Sequence, residues 1–270
     1  MTTRVVVLAR GLGRRMQEAD GAAELDEAQR RAAEAGVKAL LPINGRPFLD
    51  FVLSGLADAG LTRVLLVVAP DHEAFRRYYR VEHPPQRLRI DFAVQQLARG
   101  TADAVLAAEE WCGRDAFLTI NADNLYPPGV LGHLAALSEP GLPVFTRDDL
   151  VRTSNIPPER VQAFALVEID QEGYLTAIAE KPSRERMERA GVSAPVSMNC
   201  WWFDSGIFAF CRSVAKSARG EFELPEAVGL AVDHGVRFST IAARGPVLDL
   251  SRRADAADVA RRLGGTTPWP

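Results

Sequence analysis

The chain has 270 residues, of which 47% are hydrophobic and 25% charged, with a net charge of -3. That balance is ordinary for a globular fold, and a weakly acidic chain with no basic run argues against nucleic acid or an anionic membrane as the main partner. Cys112, Cys200 and Cys211 are too irregular for a disulfide framework or a zinc site, and the four histidines fit no metal-ligand spacing. The first apolar run is too short for a signal peptide, and no stretch approaches the roughly 20 residues of a membrane span. A cytoplasmic protein is expected.

A β-branched run over residues 4–8 predicts a buried first strand. It stops at Arg10-Gly-Leu-Gly13, where two glycines let successive backbone N–H groups point at one anion, and Arg14 and Arg15 follow at once. A nucleoside triphosphate suits such a turn; an ordinary tight turn is the alternative. A dinucleotide fingerprint is excluded because Met16 stands where its third glycine belongs. Residues 17–36 read as a helical insertion, with helix formers through 24–35, acting either as a lid or as a solvated helix. A helix over 48–59 ends at Gly60, and strands follow at 63–69 and 88–94. A helix at 101–111 and a strand at 117–120 complete the first half.

This alternation predicts a doubly wound sheet with its ligand beyond the carboxyl ends of the strands, where Gly11, Gln95 and Asp123 all fall. In the second half, strands 161–168 and 174–180 form a hairpin across residues 170–173. A strand at 196–203, helices at 205–211 and 224–234, a strand at 236–241, a short run at 246–250 and a helix at 254–263 follow. No linker or repeat appears, so one domain with a second-half cap is expected.

Asp123 ends a strand facing the glycine turn. Mg²⁺ takes one or two carboxylates plus substrate phosphates, which suits Asp123 as a ligand and Asp249 as its companion; the alternatives are an Asx-turn cap for Asp123 and an exposed turn aspartate for Asp249. Gln95 offers a donor and an acceptor to a base edge, with Gly100 allowing close backbone approach, unless the segment is a polar loop. Glu180-Lys-Pro182 ends another strand, where Glu180 accepts from hydroxyls and Lys181 holds a phosphate, or the two form a surface ion pair.

These elements, in this order, resemble the sugar-1-phosphate nucleotidylyltransferases, the glucose-1-phosphate thymidylyl- and uridylyltransferase family. Leu8-Ala-Arg-Gly-Leu-Gly-Arg-Arg-Met16 is similar to the family's opening Leu-Ala-Ala-Gly-x-Gly-x-Arg-Met, and Val37-Lys-Ala-Leu-Leu-Pro42 to its Pro-Lys-x-Leu-Leu-Pro. The resemblance implies a Rossmann-like, GT-A-like mixed sheet, with a nucleotide-binding half over 1–135 and a sugar-binding half over 136–270. It implies Arg15, Lys38 and Asp123 as catalytic residues, and Leu8, Ala9, Gly11, Gly13, Gln95, Gly100 and Thr101 as nucleotide-binding residues. Glu180, Lys181 and Asn199 would bind the sugar phosphate, and Asp123 with Asp249 would hold Mg²⁺.

The implied reaction is attack by a sugar 1-phosphate on the α-phosphorus of a nucleoside triphosphate, releasing pyrophosphate. UTP or dTTP is favoured over GTP or CTP, and oligomeric state is left open, a homo-oligomer included. Departures from the pattern are Arg10 for the second alanine, Val37 for proline, Ala165 for a glycine, Trp201 and Trp202 for small residues, and Ser251 for a glycine. Two other readings stand beside it: a metal-dependent glycosyltransferase and a non-catalytic nucleotide-sugar sensor.

Overall fold

The structure, a computed structural model, describes residues 1–270 except Leu12 and 18–24, and the backbone alone for Arg14 and Gln17. Its strands in chain order are β1 (Arg4–Leu8), β2 (Pro42–Ile43), β3 (Arg46–Pro47), β4 (Arg63–Val68), β5 (Arg89–Val94), β6 (Phe117–Asn121) and β7 (Asn124–Leu125). Then come β8 (Gly141–Thr146), β9 (Ala165–Ile169), β10 (Leu175–Ala179), β11 (Pro195–Ser197), β12 (Trp201–Phe203), β13 (Ser239–Ala242) and β14 (Leu248–Asp249). One large sheet runs β10-β9-β11-β8-β12-β6-β1-β4-β5, with β13 added on β8.

The first half is parallel: β1 pairs with β4 on one side and β6 on the other, and β5 extends the edge beyond β4. Val5, Val6 and Val7 are fully buried, as a central parallel strand covered on both faces requires. Alternate residues serve opposite layers. Val5, Val7, Val64 and Leu66 pack with the helix Phe48–Asp58, while Val6, Leu65 and Val67 pack with Thr101–Leu106 and Leu224–Asp233. Beyond β6 the pairing turns antiparallel through β12, β8, β11, β9 and β10, so the sheet is mixed. This is the expected doubly wound α/β architecture. Among the described residues, no helix is long and apolar enough to cross a membrane.

Several element bounds differ from the expectation. The insertion's helix spans Glu27–Glu34, because Asp26 caps it reciprocally with Gln29; residues 18–24 of the same stretch lie outside the described residues. The helix expected over 101–111 is two, Thr101–Leu106 and Glu109–Cys112. The strand expected from 161 starts at Ala165, since Pro157 and Pro158 open a short helix, Pro158–Val161. The strand expected over 196–203 is two, β11 and β12, broken where Asn199 takes a φ of 56°. The strand expected from 236 starts at Ser239: Gly235 turns with a φ of 82°, and the Val236 N–H closes the preceding helix on the Ala231 carbonyl.

Candidate active site

The parallel strands deliver their carboxyl ends to one cleft of about 420 Å³. Its wall includes Leu8, Ala9, Arg10, Gly11, Gly13 and Arg15 after β1, Lys38 and Ala39, Gln95 to Thr101 in part after β5, and Asn121 to Asp123 at the end of β6. The crevice thus opens where β1 has neighbours leaving to either side, the usual ligand position in such sheets. Gly13 has a φ of 60° and packs on the Gly36 backbone, which brings the glycine turn against the segment carrying Lys38. Arg15 is exposed at the rim. The Lys38 ammonium forms an ion pair with Asp123, and both side chains are largely buried.

The loop after β5 is built around two constraints. Gly100 has a φ of 116°, and a Cβ there would stand 2.3 Å from the Phe222 carbonyl oxygen, so only glycine fits. Thr101 accepts a 2.8 Å hydrogen bond from the Leu224 N–H, tying the loop to the helix Leu224–Asp233. Gln95 is buried, and its Nε2 donates to the Gly100 carbonyl at 3.0 Å and to Asp103 Oδ2 at 2.8 Å. Both partners only accept, which fixes the amide's orientation and leaves Oε1 as the atom not engaged by these bonds. The expectation that Gln95 shows the base both a donor and an acceptor is therefore corrected: its donor is engaged internally.

Asp249 lies behind Asp123. The Leu250 N–H donates to the Asp123 carbonyl at 2.9 Å, and β14 pairs with β7 beside it. The buried Asp249 carboxylate accepts from Arg160 Nη1 at 2.6 Å and from Asn124 Nδ2 at 3.0 Å. Arg160 also grips Asp255 at 2.8 Å, and Asp255 in turn accepts from the Ser251 and Arg252 N–H groups at 2.9 and 2.7 Å. Burial pushes the Asp249 carboxyl above the usual range; Asp123 adds to the rise and Arg160 opposes it.

A model of the family described as nucleotidyl transferase matches residues 33–249. The chain belongs to the nucleotidyl transferase family. Among curated family relatives, the UTP–glucose-1-phosphate uridylyltransferase AglF of Haloferax volcanii is 25% identical over 258 residues, spanning 96% of this chain and 95% of its own. The glucose-1-phosphate thymidylyltransferase of Mycolicibacterium smegmatis is 27% identical over 232 residues, spanning 84% of this chain and 75% of its own. A crystal structure of UDP-glucose pyrophosphorylase complexed with UDP-glucose superposes with a TM-score of 0.77 over 97% of this chain and 98% of that one, at 16% identity; it speaks to the fold alone.

Of the residues singled out from the sequence of this nucleotidyl transferase family member, the cleft gathers Leu8, Ala9, Gly11, Gly13, Arg15, Lys38, Gln95, Gly100, Thr101 and Asp123 on its wall. It does not gather Glu180, Lys181, Asn199 or Asp249 there. Burial raises the Glu180 carboxyl and Lys181, 3.6 Å away, opposes the shift. Lys181 and Asn199 hold φ values of 44° and 56°, left-handed conformations costly for a lysine and tolerable for an asparagine. The Asn199 Oδ1 is buried with no partner. Sequence reasoning missed Arg219 and Glu221, which line the cleft, and Arg160, which holds Asp249. A basic and an acidic residue beside Gly220 was the only local signal for the first two; Arg160 gave none.

Proposed function

We propose that this protein transfers a nucleotidyl group from UTP or dTTP to a sugar 1-phosphate and releases pyrophosphate. The observation that carries this reading is the single cleft that joins the glycine turn, Arg15, Lys38, Gln95 and Asp123. The sugar phosphate's oxygen is already an anionic nucleophile, so positioning and charge neutralisation do most of the catalysis. In this reading the Gly11 and Gly13 amides and Arg15 hold the β- and γ-phosphates. Lys38 offsets charge growing on the α-phosphate, its flexible stem letting the ammonium exchange Asp123 for phosphate. Lys181, Glu180 and Asn199 position the sugar phosphate, a role supported by the left-handed backbone at Lys181 and Asn199 and the unpartnered Asn199 Oδ1.

The residues also fit a hard divalent cation such as Mg²⁺. Asp123 is close enough to Asp249 to raise its pKa beyond the effect of burial, and two neighbouring carboxylates are the oxygen donors such ions take together with substrate phosphates. Asp123 and Asp249 would hold it, and when bound it supplies positive charge to the α-phosphate oxygens. We place the reaction in the cytoplasm, a reading supported by three free, buried cysteines.

The test is a panel of four nucleoside triphosphates against several sugar 1-phosphates with Mg²⁺, reading pyrophosphate. Release that requires both substrates and is fastest with UTP or dTTP is expected. Sugar transfer from a nucleotide sugar without pyrophosphate release would instead indicate a glycosyltransferase, and tight binding without turnover would indicate a sensor.

A further inference from the structure

Arg10 is the least explained side chain in the cleft. It stands where the resemblance has alanine, and it lines the cavity between the glycine turn and the loop after β5. Among the described residues it has no carboxylate partner. Its Nε makes one long bond, 3.4 Å, to the Gln95 backbone carbonyl, and its Nη1 is buried with no acceptor. A buried guanidinium N–H left unpaired is costly, more so than a neutral donor. The nearby imidazole does not relieve it: His72 Nδ1 accepts from the Ala69 N–H at 3.4 Å. A ligand carrying an acceptor would remove that cost.

The neighbouring Gln95 supplies the complementary half. Its Nε2 is held by Gly100 and Asp103, and Asp103 is itself held by Arg99 at 2.6 Å. That chain of bonds runs one way only, so the amide cannot flip without setting its carbonyl against two acceptors. Gln95 Oε1 is left to accept, and Arg10 beside it is left to donate.

We propose that Arg10 and Gln95 together select a base edge in which a carbonyl oxygen adjoins a ring N–H. Arg10 Nη1 donates to the carbonyl and Gln95 Oε1 accepts from the N–H. Uracil and thymine carry that pair at O4 and N3–H, and guanine carries it at O6 and N1–H. Cytosine and adenine present an amino group beside a bare ring nitrogen, which sets a donor against Arg10 and a lone pair against Gln95. Arg10 is thus a specificity residue for the nucleotide. The inference rests on the nucleotidyl transfer reading for the presence of a nucleotide in this cleft.

The experiment is calorimetric titration of the full chain with UTP, dTTP, GTP, CTP and ATP, without sugar phosphate, for the wild type, Arg10→Ala and Arg10→Gln. The wild type is expected to bind at least one of UTP, dTTP and GTP about 10-fold or more tightly than CTP and ATP. Arg10→Ala should weaken that triphosphate by about 10-fold to 100-fold while leaving CTP and ATP within about twofold. Arg10→Gln, which keeps a neutral donor, should fall between them, and it serves if the alanine variant fails to fold. Equal weakening of all five triphosphates, or no change in any, would overturn the role of Arg10 while leaving nucleotidyl transfer standing. A wild type that binds none of the five would overturn nucleotidyl transfer itself, and this inference with it.

Discussion

Gly100 shows how one residue couples packing to the loop after β5. Its φ of 116° and the missing Cβ let the loop pass against Phe222, whose carbonyl accepts from the Ala102 N–H at 2.9 Å. Gly100→Ala should cost about 1–3 kcal/mol in urea unfolding and weaken triphosphate binding together; unchanged stability would mean the loop yields without strain. Glu180 carries a pH signature. Its carboxyl is raised above the usual 4.5 mainly by burial, so the folded state holds the proton more tightly than the unfolded chain. The stability this contributes is complete below the unfolded value and is lost as pH rises through the folded value. Relative to Glu180→Gln, the wild type should therefore lose stability from pH 4 upward, a trend that urea midpoints across pH 4–7 would show. A flat difference would place Glu180 in a better solvated setting.

At the scale of elements, the first half was readable because its strands are β-branched runs buried on both faces, a pattern set by residues next to one another in sequence. The second half hid two features. β8 contains Pro143, which argues against an interior strand, yet β8 pairs with β11, β12 and β13. The strand around Asn199 is interrupted by one left-handed residue, which period-2 alternation does not reveal. That break gives a prediction that separates fold from binding. Asn199→Gly tolerates the same φ and should hold stability within about 1 kcal/mol, whereas Asn199→Val should lose about 1–3 kcal/mol. If Asn199 binds the sugar phosphate, the glycine variant should still raise its KM; an unchanged KM would confine Asn199 to the turn.

For the whole molecule, the site depends on charges brought together from distant parts of the chain. Lys38 meets Asp123 across 85 residues, and Arg160 meets Asp249 across 89, separations at which no local spacing carries a signal. Motif order exposed Asp123 and Asp249; only the fold shows that each faces its own cation, and only the fold fixes the direction of the Gln95 amide. Arg160 ties the segment before β9 to β14 and to the helix Asp255–Arg262, with both of its ion pairs buried. Removing it leaves two buried carboxylates uncompensated, so Arg160→Ala should destabilise the fold by about 3–5 kcal/mol, read as a lowered urea midpoint. A loss under about 1 kcal/mol would show that water or rearrangement replaces the guanidinium.

The proposed seat of nucleotidyl transfer is the cleft where Lys38 meets Asp123. It is tested most directly by pyrophosphate release from Asp123→Asn with a substrate pair that the wild type turns over, alongside a circular dichroism spectrum showing an intact fold. A fall of about 10²–10³ in turnover is expected, the scale seen when one charge-stabilising contact is removed. Near wild-type turnover from that folded variant would contradict it.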